Sequence, residues 1–398
     1  MSKKSIFIYI SILTAILIVI FGGLYFISTL EDNKEVNVSP EDITQELSLA
    51  DSKVHFVAVG DNLIHNNIYE QAANRSSNGG YDFDFPYENI KDIIKNADLS
   101  YINQETILSS LHKPSSYPTF NTPTQMGDKL VSMGFDVINH SNNHVLDKGT
   151  KGAFSCIDFW ESKPVLLTGL YKNSSDLENI KTIEKNGITF SFIGITEHTN
   201  GIPLPKNTDL TIVYTEEETT IEYLIKKADK ISDVVVVCPH WGTENSNIIS
   251  SKQSSLAEKM TLWGADIILG THPHVLQGIE TVTAENGNRS LCYYSLGNFI
   301  SAQSKGNNLI GGIADFIIVK NNNTGEIKIE NPKLIPIITH YTGSYNNIKI
   351  YPYFKYNDKL ALNHGVKRKT ADFSMKFIDS IINKYIGQEY LKLTPTAE

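Results

Sequence analysis

The sequence predicts an α/β fold in which two β-sheets pack on each other, preceded by a single transmembrane helix. Three patterns support this prediction: short apolar runs that alternate with helical patterns, a later stretch of consecutive strands, and an uncharged apolar segment near the start. With 398 residues, 41% of them hydrophobic, the chain can form one large globular domain with appendages or two domains of ordinary size.

The apolar segment covers residues 5–30 and follows Lys3 and Lys4. It contains no charge and is long enough to span a bilayer. Neither a small-residue cleavage pattern nor a cysteine follows it, so we expect a signal anchor rather than a cleaved signal peptide or a lipoprotein. The two lysines orient the amino terminus toward the cytoplasm. We therefore assign residues 1–30 to a transmembrane anchor in the cell membrane and expect the remainder to be extracellular.

Residues 31–53 are polar and acidic without a sustained apolar period, which is typical of a stalk. The texture changes at residue 54, where short runs rich in β-branched residues begin. Runs of this length, bounded by turn residues, predict buried strands, and they lie at residues 54–60, 99–103, 135–139, 188–195, 233–240 and 265–272. Helical patterns lie between them, for example at residues 122–134 and 254–264.

After residue 290 the helical patterns stop, and three strand-like segments follow at residues 289–300, 311–321 and 326–339. We interpret them as a second, more antiparallel sheet that completes a domain of residues 54–340. Residues 341–398 form a C-terminal extension, in which an apolar residue at every fourth position from Phe373 to Tyr385 predicts an amphipathic helix.

The formal net charge of −9 argues against a nucleic-acid partner, which would require a basic surface. An anionic polymer would need a local positive site, such as a metal. The three cysteines are widely spaced and do not suggest a disulfide framework, so we expect them to be buried apolar residues.

Polar side chains that can bind metals stand at the end of nearly every predicted strand. They are Asp61, Asn103, Glu105, Asn143, His144, His240, His272 and His274. Singly, Asp61 could cap a helix, Glu105 could be a solvated charge and His240 could be a core histidine. In open α/β sheets, however, ligands bind at the carboxyl ends of strands, so the joint pattern favours one common site.

The segment "GTHPH" places His272 and His274 two residues apart after a strand, which predicts two rings on the same side of an extended segment. With side chains from other strands they could hold one or two divalent metal ions. Carboxylate, amide and imidazole ligands without thiolate suit Mn, Fe or Zn, and such sets bridge two ions in hydrolytic sites.

Six segments, in order and spacing, resemble the CapA family of capsule (poly-γ-glutamate) synthesis proteins. They are "AVGDNLIH", "FPYENIKDIIKNADLSYINQET", "GFDVINHSNNHVLDKG", "HWGTE", "GADIILGTHPHVLQGIE" and "YYSLGNFI". The resemblance covers about residues 54–302. That family looks like a branch of the calcineurin-like metallophosphoesterases, which implies a four-layer α/β/β/α sandwich.

The resemblance also implies roles for individual residues. Asp61 matches the metal-binding Asp of the first strand, and Glu105 matches the bridging carboxylate, with Asn103 beside it. "NNH" supplies Asn143 as a metal ligand and His144 as the catalytic group. The remaining ligands implied by the resemblance are His240, His272 and His274. The usual Asp-x-His is here Asp61-Asn62-Leu63, so His65 could replace the absent ligand or contact substrate.

Several nearby residues have two interpretations. Trp241 and Glu244 of "HWGTE" could shape the pocket, although an aromatic residue beside a strand end could equally be a packing residue. Asn298 could reach the site or form a turn. His140 and His144 have the spacing of a helical zinc pair, but "FDVIN" predicts a strand and "SNNH" a turn. We therefore expect His140 to pack in the core or to support a site residue, and Asp147 to stabilise the turn. The loop 115–124 is expected to lie near the mouth of the site.

Three functions are compatible with these residues. We favour a membrane-anchored, extracellular protein of capsule or poly-γ-glutamate synthesis or export with a metal-dependent hydrolase-type site. In such a site a metal activates water while His144 protonates the leaving group. The alternatives are a surface metallophosphoesterase acting on phosphodiesters or cell-envelope polymers, and a non-enzymatic polymer-binding subunit of a membrane synthase.

Overall fold

Fourteen strands form two β-sheets in the computed structural model, which describes residues 50–395. The strands are β1 (Ser52–Asn62), β2 (Leu99–Asn103), β3 (Val137–Asn139), β4 (Leu166–Thr168), β5 (Thr182–Lys185), β6 (Ile188–Thr196), β7 (Val234–His240), β8 (Ile267–Leu269), β9 (Ile279–Thr283), β10 (Arg289–Tyr293), β11 (Asn298–Ile300), β12 (Ile310–Lys320), β13 (Ile327–Thr342) and β14 (Asn346–Pro352).

The α-helices lie mostly between the strands. They are α1 (Asn66–Arg75), α2 (Asp84–Tyr87), α3 (Lys91–Lys95), α4 (Gln125–Met133), α5 (Gly149–Glu161), α6 (Ser174–Glu178), α7 (Glu218–Ala228), α8 (Ser251–Trp263), α9 (Asp358–Leu362) and α10 (Met375–Tyr385). None of the helices within residues 50–395 is both long and apolar enough to cross a membrane. The predicted anchor, residues 1–30, and the stalk up to residue 49 lie outside the described residues.

The first sheet has the strand order β14-β13-β12-β1-β2-β3-β4, and β11 also pairs with the end of β1. The second has the order β5-β6-β7-β8-β10-β9. Strands β1 to β4 run parallel, as do β6, β7 and β8, so each sheet has a parallel core with antiparallel strands beside it. The prediction of an α/β fold with two sheets is confirmed.

The prediction that residues 311–339 belong to the second sheet is wrong. Strand β12 pairs antiparallel with β1, from Ser52 opposite Lys320 to Val59 opposite Ile313, and β13 and β14 continue the first sheet outward. The predicted boundary after residue 340 therefore falls inside β13. Apolar periodicity predicts which face of a strand is buried, but not which edge it joins.

Alternating side chains divide the second sheet between two cores. Phe190 and Phe192 of β6 pack against Phe56 of the first sheet, whereas Ile193 and Ile195 pack under α7 and α8. The far face of the first sheet is covered by helices including α4 and α5, whose buried residues join the larger core. The layers are helices, sheet, sheet and helices, which is the four-layer α/β/β/α sandwich predicted from the resemblance.

Four of the parallel strands are each preceded by an aspartate that fixes the register of the strand. Each aspartate accepts a hydrogen bond from a backbone N–H of the neighbouring strand and donates its own N–H to the carbonyl of that same residue. The residues are Asp98, Asp136, Asp233 and Asp266. The double contact satisfies a backbone group at the sheet edge and aligns the opposite, carboxyl ends of the strands.

Asp266 makes the stability of the fold depend on pH. Burial raises its pKa to about 7, so the folded state holds the proton more tightly than the unfolded chain. Its stabilising contribution is therefore present below the unfolded pKa and is lost as the pH rises through about 7. We expect Asp266→Asn to remove about 4 kcal/mol of the fall in unfolding free energy between acid and alkaline pH, measured by urea unfolding. An unchanged pH dependence would contradict this.

Candidate functional site

Polar side chains from the strand ends of both sheets meet in one buried cluster. Asp61 and Asn103 of the first sheet and His240 of the second are at most 1% exposed. Asn103 Nδ2 donates to Asp61 Oδ1 at 2.7 Å and lies 3.5 Å from His240 Nδ1. Asn139 Nδ2 in turn donates to Asn103 Oδ1 at 3.0 Å. The strand-end side chains therefore converge as the sequence predicts.

Asp61, Glu105 and His274 form the acidic half of the cluster. Each offers a ligand atom, and these atoms lie within 4.8 Å of one another. His274 Nδ1 is 3.1 Å from Asp61 Oδ2, and its Nε2 is 3.7 Å from Glu105 Oε1. Burial lowers the pKa of His274, but the carboxylates of Glu105 and Asp61 outweigh it and raise that pKa to about 10. The three side chains are a candidate site for a divalent cation.

The surroundings of the Glu105 carboxylate indicate whether this site suits a cation. The side chain is fully buried, and both carboxylate oxygens lack a hydrogen-bond partner among the described residues. Burial raises the pKa of Glu105 well above its ordinary value. Because a buried carboxylate that accepts no hydrogen bond costs several kcal/mol, additional positive charge close to it is stabilising. A metal ion would supply that charge, so the residues present fit one.

His240, His272 and Asn143 form the neutral half. His240 Nε2 lies 3.0 Å from Asn143 Oδ1 and 3.1 Å from His272 Nδ1. His240 Nδ1 lies 2.9 Å from Thr271 Oγ1, a hydroxyl that can either donate or accept a hydrogen bond. Burial lowers the pKa of both histidines well below the ordinary value, so both rings are neutral.

Glu105 stands between the two halves of the cluster. Its Oε1 lies 3.7 Å from His274 Nε2 and 3.8 Å from His240 Nε2. One carboxylate oxygen thus faces ligand atoms from both groups. This is the position that the resemblance implies for a bridging carboxylate.

The backbone of "GTHPH" differs from the extended segment that we predicted. His272 and His274 have φ angles of 97° and 58°, in the left-handed region that non-glycine residues seldom adopt. The segment is therefore a turn, and it directs both rings into the cluster. The backbone N–H of His272 also contacts Asp61 Oδ2 at 3.3 Å, which ties the turn to β1.

His144 lies beside the cluster with one nitrogen already engaged. Its Nδ1–H donates to Asp147 Oδ2 at 2.7 Å, and the same oxygen accepts the backbone N–H of Phe120 at 2.6 Å. The ring of Phe120 packs against the imidazole with a centroid distance of 4.7 Å. Asp147 and Phe120 thus fix the orientation of the ring and leave Nε2 available for another group.

His140 is separate from the hydrogen-bonded pair of His144 and Asp147. Its Nε2 accepts the indole N–H of Trp160 at 2.8 Å, and the side chain is fully buried. Strand β3 ends at Asn139 and the chain turns after it, so no helix aligns His140 with His144. The observed contacts agree with a packing role for His140.

His65 and Asn298 occupy positions at the edge of the cluster. Asn298 pairs with Asp61 in the short β11 to β1 contact, and its Oδ1 lies 3.0 Å from His274 Nδ1. His65 accepts the N–H of Ala302 on Nδ1 at 3.2 Å, and burial lowers its pKa to about 4. The aromatic edge of His65 also meets Phe120, so the predicted loop 115–124 does contribute to this region.

Trp241 and Glu244 do not join the cluster. The indole of Trp241 is 2% exposed, donates to Tyr294 O at 3.0 Å and belongs to the core under α7 and α8. Glu244 is exposed, and its charge contributes to raising the pKa values of Glu105 and His274. It therefore acts on the site through its field rather than by contact.

Two residues near the site were missed by the sequence reasoning. His198 packs edge-on against the ring of His272 with a centroid distance of 5.1 Å, and Asn200 contacts both Asn143 and His144. Both follow β6, whose carboxyl end lies beside β7. The rule that polar residues after a strand converge at the sheet edge would have selected "TEHTN" as well.

Comparison with known proteins identifies the family of this chain. Residues 55–303 match the model of the bacterial capsule synthesis proteins, PGA_cap. The chain belongs to the PGA_cap family. The predicted resemblance to capsule synthesis proteins of the CapA type is therefore confirmed.

Two relatives carry the CapA name. The PGA biosynthesis protein CapA of Bacillus subtilis (strain 168) is 33% identical over 202 residues, which cover 50% of this chain and 51% of that protein. The capsule biosynthesis protein CapA of Bacillus anthracis is 28% identical over 260 residues, covering 63% of this chain and 60% of that protein. The PGA_cap chain thus spans about half to three fifths of the curated relatives that it matches.

Solved structures to which this chain is similar include a nucleotidase and a phosphatase. The NAD nucleotidase NadN of Haemophilus influenzae has a TM-score of 0.48 at 12% identity, covering 87% of this chain and 58% of that one. A phosphatase from Mycoplasma pneumoniae has a TM-score of 0.44 at 15% identity, covering 73% and 95%. The layer order of this PGA_cap protein is established by its own strands and helices.

Proposed function

We propose that this PGA_cap protein is a membrane-anchored, metal-dependent hydrolase that acts outside the cell in capsule or poly-γ-glutamate synthesis or export. The observation that carries the catalytic part is the buried carboxylate of Glu105, which accepts no hydrogen bond among the described residues and lies between two groups of ligand atoms. Membership of the capsule synthesis family supports the biological role.

Six side chains would hold one or two divalent ions, with Mn, Fe or Zn as candidates. Asp61, Glu105 and His274 would hold one ion, and Glu105 would share the second with the neutral half. The remaining ligands are Asn143, His240 and His272. A bound divalent ion supplies Lewis-acid chemistry, which activates water and polarises the bond that is attacked.

The protein's own contribution to bond cleavage is proton transfer by His144. Asp147 accepts the Nδ1–H, fixes the tautomer and stabilises the protonated ring. Nε2 can then donate a proton to the leaving group as the bond breaks. The low exposure of the cluster limits the access of bulk water and strengthens these electrostatic interactions.

The predicted anchor and the family support the proposed substrate and location. The apolar segment 5–30 would hold the protein in the membrane, with the domain on the outer face and membrane synthase subunits as partners. An anionic polymer such as poly-γ-glutamate would approach a protein of net charge −9 only at a locally positive site. The bound metal would provide that site.

The proposal is tested by metal analysis of the purified full chain, followed by a hydrolysis screen that compares poly-γ-glutamate with phosphodiesters. We expect about one or two divalent ions per chain and metal-stimulated cleavage of one substrate class. Cleavage of phosphodiesters alone would favour a surface phosphoesterase. Polymer binding that survives removal of the metal, without cleavage, would favour the non-enzymatic binding subunit and refute the hydrolase.

A further inference from the structure

The loop that follows β6 brings one exposed amide side chain to the candidate site. Asn200 Oδ1 accepts Asn143 Nδ2 at 3.2 Å, and Asn200 Nδ2 lies 3.3 Å from His144 Nδ1. The loop itself is held in place, because Glu197 Oε2 accepts the backbone N–H of Gly242 at 2.8 Å. Asn200 therefore contacts a proposed metal ligand and the proposed acid from a fixed position.

The contact with Asn200 matters because the oxygen and the nitrogen of the Asn143 amide interact differently with a cation. Only the amide oxygen can bind a cation, whereas the NH₂ group would repel it. Asn143 Oδ1 faces His240 Nε2 at 3.0 Å, within the group of ligand atoms. Among the described residues, the hydrogen-bond acceptor for Asn143 Nδ2 is Asn200 Oδ1. This bond distinguishes the two orientations of the Asn143 amide.

We infer that Asn200 is a positioning residue, which holds Asn143 with its amide oxygen directed at the cation site. Without an acceptor at position 200, the Asn143 side chain can rotate and present its nitrogen, so the site loses one ligand for part of the time. Partners of this kind commonly change metal affinity by about 10–100-fold. The inference rests on the proposed metal-dependent function.

The backbone at this position allows clean substitutions. Asn200 has a φ angle of 52°, which glycine tolerates and which Asp, like Asn, adopts more readily than most residues. Asn200→Gly removes the acceptor without straining the loop, and Asn200→Asp keeps an acceptor oxygen. Asn347 is a matched control, since it is exposed and has a φ angle of 55° at the start of β14.

The test measures Mn²⁺ affinity by calorimetry and the melting temperature of the full chain in detergent. We expect Asn200→Gly to weaken Mn²⁺ binding by about 10-fold with an unchanged melting temperature in the absence of Mn²⁺. Asn200→Asp should stay within about 3-fold of the wild type, and Asn347→Gly should match it.

Wild-type affinity in Asn200→Gly would overturn the inference while leaving the proposed function intact. Equal losses in Asn200→Gly and Asn200→Asp would also overturn it, because the acceptor oxygen would then not matter. A wild-type chain that binds none of Mn²⁺, Fe²⁺ and Zn²⁺ would instead refute the proposed function, and the inference with it.

Discussion

Glu105→Gln is expected to weaken metal binding strongly while stabilising the metal-free protein. Glutamine keeps the shape of the side chain but removes the negative charge, and Glu105 has no hydrogen-bond partner among the described residues to lose. We expect Mn²⁺ affinity to fall on the order of 100-fold or more and metal-dependent hydrolysis by roughly 10³-fold. The metal-free variant should gain about 1–2 kcal/mol in unfolding free energy, because a neutral amide costs less to bury than a carboxylate that accepts no hydrogen bond.

Calorimetry with Mn²⁺ and urea unfolding, each with and without the ion, measure these effects. Asp315→Asn is the control, because Asp315 is also buried but its carboxylate is paired with His55 and Lys392. It should lose stability and bind Mn²⁺ as the wild type does, which is the opposite pattern. A Glu105→Gln variant that binds Mn²⁺ normally, or is strongly destabilised without it, would contradict the assignment of Glu105 as a ligand.

His144→Ala is expected to lower the turnover number by about 10²–10⁴-fold while leaving metal affinity nearly unchanged. The imidazole is not one of the six proposed ligands, and its fixed Nδ1–H bond to Asp147 leaves Nε2 for the leaving group. If His144 is a general acid, the loss should be large for a substrate with an alkyl leaving group. It should be small for a nitrophenyl ester, whose leaving group departs readily without a proton.

The role of His144 is measured by the turnover numbers for two phosphodiesters that carry these leaving groups, at saturating Mn²⁺. His140→Ala is the control, because His140 is buried against Trp160 and away from His144. We expect it to lower the melting temperature and to preserve the turnover number of the folded protein. Equal losses for both leaving groups in His144→Ala would show that His144 does not act as the acid.

The candidate site was predictable to the extent that it depends on strand direction. Parallel strands have their carboxyl ends at one edge, so Asp61, Glu105 and His240 had to approach each other once their strands were recognised. Strand alternation also explains Trp241, which follows His240 by one residue and therefore faces the opposite core. That placement was available from the sequence but was not used in interpreting "HWGTE".

Other features depend on pairing between distant segments, which periodicity does not specify. Strand β12 joins β1 rather than the second sheet, although more than 250 residues separate Ser52 from Lys320. Asn298 reaches His274 only because β11 pairs with the end of β1. The left-handed turn at His272 and His274 is likewise set by packing against Asp61, and the letters "THPH" alone do not reveal it.

Anomalous diffraction from crystals of the protein grown with Mn²⁺ tests the central claim most directly. We expect a manganese peak at about 2.0–2.3 Å from oxygens of Asp61 and Glu105 and from a ring nitrogen of His274. A second peak, if present, should lie between Glu105 and His240. Manganese bound elsewhere, or Glu105 oxygens satisfied by protein donors with no ion beside them, would contradict the account.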